Sequence, residues 1–401
     1  MDTAFPAERH YRPRIPHPAA PVPPLPDPET AKEWLDAERA ALVAATGHAA
    51  ANGWPGHATR MAAVLYSYLH TGDHFSEAVT VFTHALDAAR RTGDRAAEAT
   101  ALMGIGDADR EQSRLQQASD HHRQALGLFR EAGNRVGEAR ALSSAGLADT
   151  ALGRYEQAAR SQQQAVAIFR DVDDRLGEAR TLSNLGLARR RQGRYQEAAS
   201  YYQQSLDLSR EICDLGGQAL ALARLGVINL QLGRHEHAAG YLQHALALFH
   251  EMGNASGEAA TLTGLGEVHL GLGLPEQAAG ILKQTLALSR EIGDPNKEAA
   301  ALNGLGDVLF RTGDADRARA HYATALRLAS KTGSPEHQAR AHSGLAAACQ
   351  TDGDSRQARY HWQEALARYA VIGAPETDEI REWLAKADGN GHEPTEDSVP
   401  R

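Results

Sequence analysis

Nineteen histidines raise the question of a metal site, and the nearest groupings are His121 with His122, His235 with His237, and His70 with His74. None reads as a helical ligand pair completed by a carboxylate, so no metal is expected. The serines and the two cysteines, Cys213 and Cys349, lack an assignable base and orienting group, which removes the usual nucleophile reading. Glu138, Glu178 and Glu258 recur in step and suit the first turn of helices, where the dipole favours negative charge. No Gly-x-x-x-x-Gly-Lys-Ser/Thr loop occurs, and Lys32, Lys283, Lys297, Lys331 and Lys386 are the only lysines, so no phosphate cradle and no nucleotide cofactor are expected. The chain does not read as an enzyme. What remains is basic: Arg180, Asn184, Leu187 and Arg191 follow one another at four, three and four residues and form one stripe on a helix. Guanidinium forks of this kind suit carboxylates and backbone amides. A competing reading pairs the arginines with Glu138, Glu178 and similar neighbours as a solvated face.

These residues are positioned by a period. Gly106, Gly146, Gly186, Gly226, Gly266 and Gly306 stand 40 residues apart, and Ala78, Ala118, Ala158, Ala198, Ala238, Ala278, Ala318 and Ala358 keep the same step. A fixed period of this length marks a stack in which each unit buries its apolar face only against its neighbours. In one copy, Gly133 is a left-handed stop, Asn134 a cap, and Ala139, Leu142, Ala145, Gly146 and Ala148 make a helix apolar over a wide arc, as a sandwiched helix must be. Gly146 costs about 1 kcal/mol of helix propensity and is explained by close approach of a second helix, with Ala158 as its expected contact. Gly153, Gly193 and Gly233 mark turns, and Phe75, Tyr155 and Tyr195 begin the second helices with an aromatic plug.

Eight helical hairpins are expected over 54–373, preceded by a capping helix at 27–53 and followed by another at 374–387. Asp27 and Pro28 give the first helix its start, with Ala31, Leu35, Leu42 and Ala45 as its apolar stripe. Ile380, Trp383 and Leu384 would seal the far end, with Asp378, Glu379, Arg381 and Glu382 in water. The proline-rich residues 1–26 read as a stiff unstructured leader, and residues 388–401 as a disordered tail. Leu215-Gly216-Gly217, where a junction departs from its usual Gly-Asp, reads as a bend or hinge.

With 42% apolar and 5% aromatic residues the core should be thin and rich in alanine. A net charge of −9 argues against direct nucleic-acid binding, which needs a concentrated positive excess. No stretch approaches the roughly 20 apolar residues of a membrane span, and the cysteine usage fits a reducing, cytoplasmic setting.

The phrase Leu-Gly, then Gly-x-Tyr, then Ala, then Ala-Leu resembles the tetratricopeptide repeat in a lengthened form. Leu185-Gly186, Gly193-Arg194-Tyr195, Ala198 and Ser205-Leu206 carry it in one copy, and Leu305-Gly306, Gly313, Ala318 and Ala325-Leu326 in another. The pattern departs at Ala346, Pro275 and Ala315. The resemblance implies an all-α, right-handed superhelical solenoid of tetratricopeptide-type hairpins whose first helices line a concave groove. It implies that Arg180, Asn184, Leu187 and Arg191 face that groove, flanked by Arg140 and Arg224 from the adjacent repeats. The expected partner is a protein or peptide, acidic and extended; homo-oligomerisation stays open.

Trp34-Leu35-Asp36-Ala37-Glu38-Arg39 and Leu42-Val43-Ala44-Ala45, ahead of repeats ending in Gly-Asp-Arg, resemble the C-terminal sensor region of actinobacterial antibiotic-regulatory transcriptional activators of the SARP/NB-ARC type. The chain then reads as a fragment of such a regulator or a free-standing relative. Its function is expected to be that of a non-catalytic, regulatory binding scaffold or sensor. The alternative is a receptor for a small signalling peptide of quorum-sensing type.

Overall fold

A computed structural model describes residues 1–5, 24–72, 74–374 and 376–390, without the side chains of Glu379, Trp383 and residues 386–390. The described residues form two compact units, Met1–Asp174 and Arg175–Arg401. The first contains α1 (Pro28–Ala51), α2 (Pro55–Thr71), α3 (Phe75–Thr92), α4 (Arg95–Glu111), α5 (Leu115–Glu131), α6 (Arg135–Ala151) and α7 (Tyr155–Asp171). The second contains α8 (Arg175–Arg191), α9 (Tyr195–Glu211), α10 (Leu215–Gln231), α11 (His235–Glu251), α12 (Ala255–Gly271) and α13 (Pro275–Glu291). It continues with α14 (Pro295–Arg311), α15 (Ala315–Thr332), α16 (Pro335–Thr351), α17 (Ser355–Ile372) and α18 (Glu376–Asn390). Within each unit successive helices pack as hairpins, and alternate helices such as α8 and α10, α12 and α14, or α14 and α16 also touch. Each unit is an all-helical solenoid.

Local chemistry sets the helix starts. The Asp27 carboxylate accepts from the Thr30 amide at 2.8 Å, and Asn134 Oδ1 accepts from the Gly137 amide at 2.9 Å, each satisfying an amide that the helix leaves without a partner. Between them lies Gly133, at φ 64°, in the left-handed region that a side chain would strain. Glu138 then accepts from Arg130 Nε at 2.9 Å and Arg135 Nη1 at 2.7 Å. Burial raises its pKa, and the two guanidinium partners more than reverse that, leaving it below the ordinary value.

The core is built mainly from alanine and leucine, with one large side chain over each recurring glycine. A Cβ on Gly186 would stand 2.6 Å from the Tyr202 ring, and one on Gly306 2.5 Å from Tyr322. At Gly146 it would meet Gln162 Nε2 at 2.6 Å and the Ala158 carbonyl oxygen at 3.2 Å, so the glycine is required by close approach, with Gln162 nearer than the expected Ala158.

Several expectations are revised. In α1, Ala31 and Leu35 are buried but Ala45 is exposed; Thr46, Ala49 and Ala50 take the inner face instead. The Thr46 hydroxyl tolerates this by donating to the Leu42 carbonyl at 2.9 Å. Residues 1–5 are not unstructured: Ala4 is buried, and Met1 and Phe5 pack on the core near Trp34. The rest of the leader expectation, over 6–23, lies outside the described residues. So do the tail at 391–401 and the placement of the Trp383 and Glu379 side chains, whereas 388–390 belong to α18. Ile380 is buried, Leu384 packs beside it, and Asp378, Arg381 and Glu382 are exposed.

The junction before α10 has the geometry of its counterparts. Cys213 donates its amide to the Arg210 carbonyl and Asp214 to that of Ser209, as Gly133 and Asn134 do to Arg130 and Phe129. What changed is that Cys213 holds the left-handed position, at φ 56°. Gly216 and Gly217 sit inside the first turn of α10, so the double glycine creates space and not an irregular loop.

Candidate functional site

The second unit contains five of the six residues singled out by sequence. Arg180 is exposed, and Asn184, Leu187 and Arg191 are half-buried along the same face of α8. Arg180 and Asn184 line a cavity of about 260 Å³ together with Ser183 of α8, Ser205 and Ser209 of α9, and Asp214, Gly217 and Leu220 at the start of α10. Leu220 is 42% exposed, an apolar side chain left at the cavity's edge.

The cavity has a legible cause in the register of the repeats. In the first unit Phe129 covers Gly137, and further along the second Phe249 covers Gly257; a Cβ on either glycine would fall 2.4 Å from the ring. Phe169 precedes Gly177 by the same eight residues. At the α9–α10 junction the glycine is kept as Gly217 and the ring is replaced by Ser209. Of the junctions with glycine at this position, only this one lacks its phenyl group. A Cβ on Gly217 would meet the Asp214 carboxylate and the Ser209 hydroxyl, each at 2.5 Å, so polar groups lie over the glycine at the wall of the cavity. Ser209 is 1% exposed, and its hydroxyl has no hydrogen-bond partner.

Arg191, eleven residues beyond Arg180 and so about 16 Å along the helix, is held by α16. Its Nη2 lies 3.1 Å from Glu336 Oε2. Burial raises the Glu336 pKa; Arg191, with Arg190, more than offsets it and the carboxyl lies below its usual range. Arg224 has a different role. Its Nη1 donates to the Ser183 carbonyl at 2.9 Å and to the Ser183 hydroxyl at 2.5 Å, and its guanidinium lies 5.7 Å over the Tyr202 ring. Burial pushes its pKa down. It braces the wall behind the cavity. Arg140 belongs to the first unit, where it lies 5.5 Å over the Tyr66 ring.

Arg340 was missed by the stripe argument although it stands at the repeat position of Arg140 and Arg180. It is clamped between Glu267 and Asp307, the latter at 2.6 Å, and Asp307 also accepts from the Tyr322 hydroxyl at 2.7 Å. The repeat register would have located Arg340, while its neutralisation follows from acidic residues on α12 and α14. Ser209 was missed as well, and the signal was the break in the Phe-to-Gly spacing.

The histidine groupings are dispersed among separate partners. His121 Nδ1 lies 2.8 Å from Asp109, His122 is buried 3.5 Å from Asp107, and His74 lies 3.4 Å from Asp36. Among the described residues no group of three or more His, Cys, Asp or Glu could hold a metal ion, and no helix is long and apolar enough to cross a membrane.

Hairpins of this geometry and spacing define a known class of repeat. The tetratricopeptide repeat model matches residues 61–131, 137–211, 217–291 and 297–370, and a second tetratricopeptide repeat model matches 183–250. The chain belongs to the tetratricopeptide repeat family. No curated protein matches it. Among solved structures, the apo form of the quorum sensor NprR from B. thuringiensis is similar at 14% identity and TM-score 0.59, over 84% of this chain and 99% of that one. The Rap conjugation gene regulator of plasmid pLS20, in complex with the Phr* peptide, is similar at 16% identity and TM-score 0.57, over 77% and 79%. A signal transduction ATPase with numerous domains and a tetratricopeptide repeat sensor, from Pyrococcus horikoshii, is similar at 18% identity and TM-score 0.60. The match covers 88% of this chain and 54% of that protein. At these identities the likeness concerns the fold.

Proposed function

We propose that this chain is a non-catalytic, regulatory binding module that holds an extended, acidic segment of a protein or peptide along α8. The observation that carries this reading is the single face of Arg180, Asn184, Leu187 and Arg191, with an open cavity at its start and a basic pair, Arg190 and Arg191, at its end. A span of about 16 Å corresponds to roughly five residues of extended chain. Asn184 supplies both a donor and an acceptor for the backbone of such a segment, and Leu187 a small apolar contact. Arg224 belongs to the expected site by repeat position, and its bracing against Ser183 favours an indirect part for it. The net charge of −9 is repulsive to nucleic acid, and local arginines are what attract an anionic partner.

A second reading, a receptor for a small signalling peptide in the cytoplasm, is favoured by the fold shared with a quorum sensor and with a regulator solved in complex with the Phr* peptide. The likeness to the sensor-bearing ATPase supports a sensor segment of a larger regulator in the same way. Affinity capture on the whole chain, followed by mass analysis of what is retained, separates the two. Retention of folded proteins supports the scaffold and retention of short peptides alone the receptor. No retention that depends on Arg180 would remove both.

A further inference from the structure

We propose that the cavity between α8, α9 and α10 is a specificity pocket for a tyrosine side chain of the bound segment. This rests on the binding reading above and adds to it the chemistry of one residue. At two other junctions a phenyl group covers the glycine at this position; here that ring is absent, and the Ser209 hydroxyl and the Asp214 carboxylate, each 2.5 Å from where a Cβ on Gly217 would stand, line the space instead. Its volume of about 260 Å³ falls below the roughly 300 Å³ at which whole-ligand pockets begin. It suits one side chain.

The polar lining selects a phenol over a phenyl group. The Ser209 hydroxyl is buried and unpartnered, and leaving such a group unsatisfied is costly. Asp214, which also lines the cavity, is an N-cap whose side chain makes no capping bond, whereas Asn134 and Asn254 at the equivalent position both do. A phenol O–H donates to a carboxylate and its oxygen accepts from a serine hydroxyl, so one tyrosine would satisfy both groups. Leu220, exposed at the edge, offers its apolar surface to the ring, and Arg180 stands where the chain carrying the tyrosine must pass.

The test uses the full chain and N-acetyl-L-tyrosine, observed by ligand NMR at millimolar concentration, with N-acetyl-L-phenylalanine as the comparison. The wild-type protein should bind the tyrosine derivative about tenfold more tightly, the scale of one or two net hydrogen bonds. Ser209→Phe restores the missing ring and should abolish binding of both compounds without lowering the melting temperature. Ser209→Ala keeps the space and the Asp214 bond but removes the serine bond, so the tyrosine preference should shrink from about tenfold to about threefold, which decides the matter even if the phenylalanine variant fails to fold. Absence of binding to the wild type, or binding indifferent to Ser209→Ala, would overturn the pocket. If partner retention is lost with Arg180→Glu but survives Ser209→Phe, the pocket is wrong and the binding face stands; if it survives both, the face is wrong as well.

Discussion

Gly186 shows how much one missing methyl group decides. Because a Cβ there would stand 2.6 Å from the Tyr202 ring, Gly186→Leu should cost about 3 kcal/mol through overpacking, measured as a fall in the urea midpoint. The recurring glycines were legible in sequence because period and helix propensity conflict at the same position in repeat after repeat. The partners of the arginines were not: Arg191 meets Glu336 across 145 residues, a distance over which a forty-residue pattern carries no information. Histidine gives a second test at this scale. His342 is buried against His361, at 2.9 Å between ring nitrogens, and burial, with His361 and Arg368, lowers its pKa from 6.5 to about 4. The unfolded chain therefore binds a proton that the folded chain refuses. Stability is present in full above the unfolded value of 6.5 and declines as pH falls toward 4. His342→Gln should flatten the pH dependence of the melting temperature in that window; an unchanged slope would show that other groups carry it.

The helical hairpin was readable from caps, turn glycines and apolar spacing, since each of these is local. The junction before α10 keeps the hydrogen bonds of its counterparts, with its glycine pair inside the first turn of the helix. Cys213, and not Gly216 or Gly217, occupies the left-handed position, which costs a side-chain-bearing residue about 1 kcal/mol. Cys213→Gly should therefore stabilise the second unit by about that amount, visible as a raised urea midpoint with unchanged slope. A hinge at this junction would instead become looser, and the midpoint would fall. The same junction holds the cavity, which shows why the site was only half legible: Arg180 and Asn184 announce themselves by charge and spacing, while Ser209 matters for the ring it replaces.

At the scale of the whole chain, composition excluded more than it identified. No phosphate-cradling loop is present in the sequence, so calorimetry with Mg-ATP should give no binding heat; micromolar binding would point to a nucleotide site of another kind. Stacked repeats lose stability in steps when shortened, and removal of residues 334–387 should leave a helical protein with a lower melting temperature. The Arg191–Glu336 pair adds a contact beyond nearest neighbours, so that step should exceed the one from removing α18 alone. Binding should weaken with salt, because exposed charges are screened over about 8 Å at physiological ionic strength.

The most direct measurement compares display selection of random extended peptides on the wild-type chain, on Arg180→Glu and on Arg210→Glu, the last changing an exposed arginine on α9. Circular dichroism establishes that all three are equally helical. The wild type and Arg210→Glu should enrich acidic sequences, and Arg180→Glu should lose them because it replaces an attraction with a like-charge repulsion. Enrichment that survives Arg180→Glu, or that is lost equally with Arg210→Glu, would contradict α8 as the binding face.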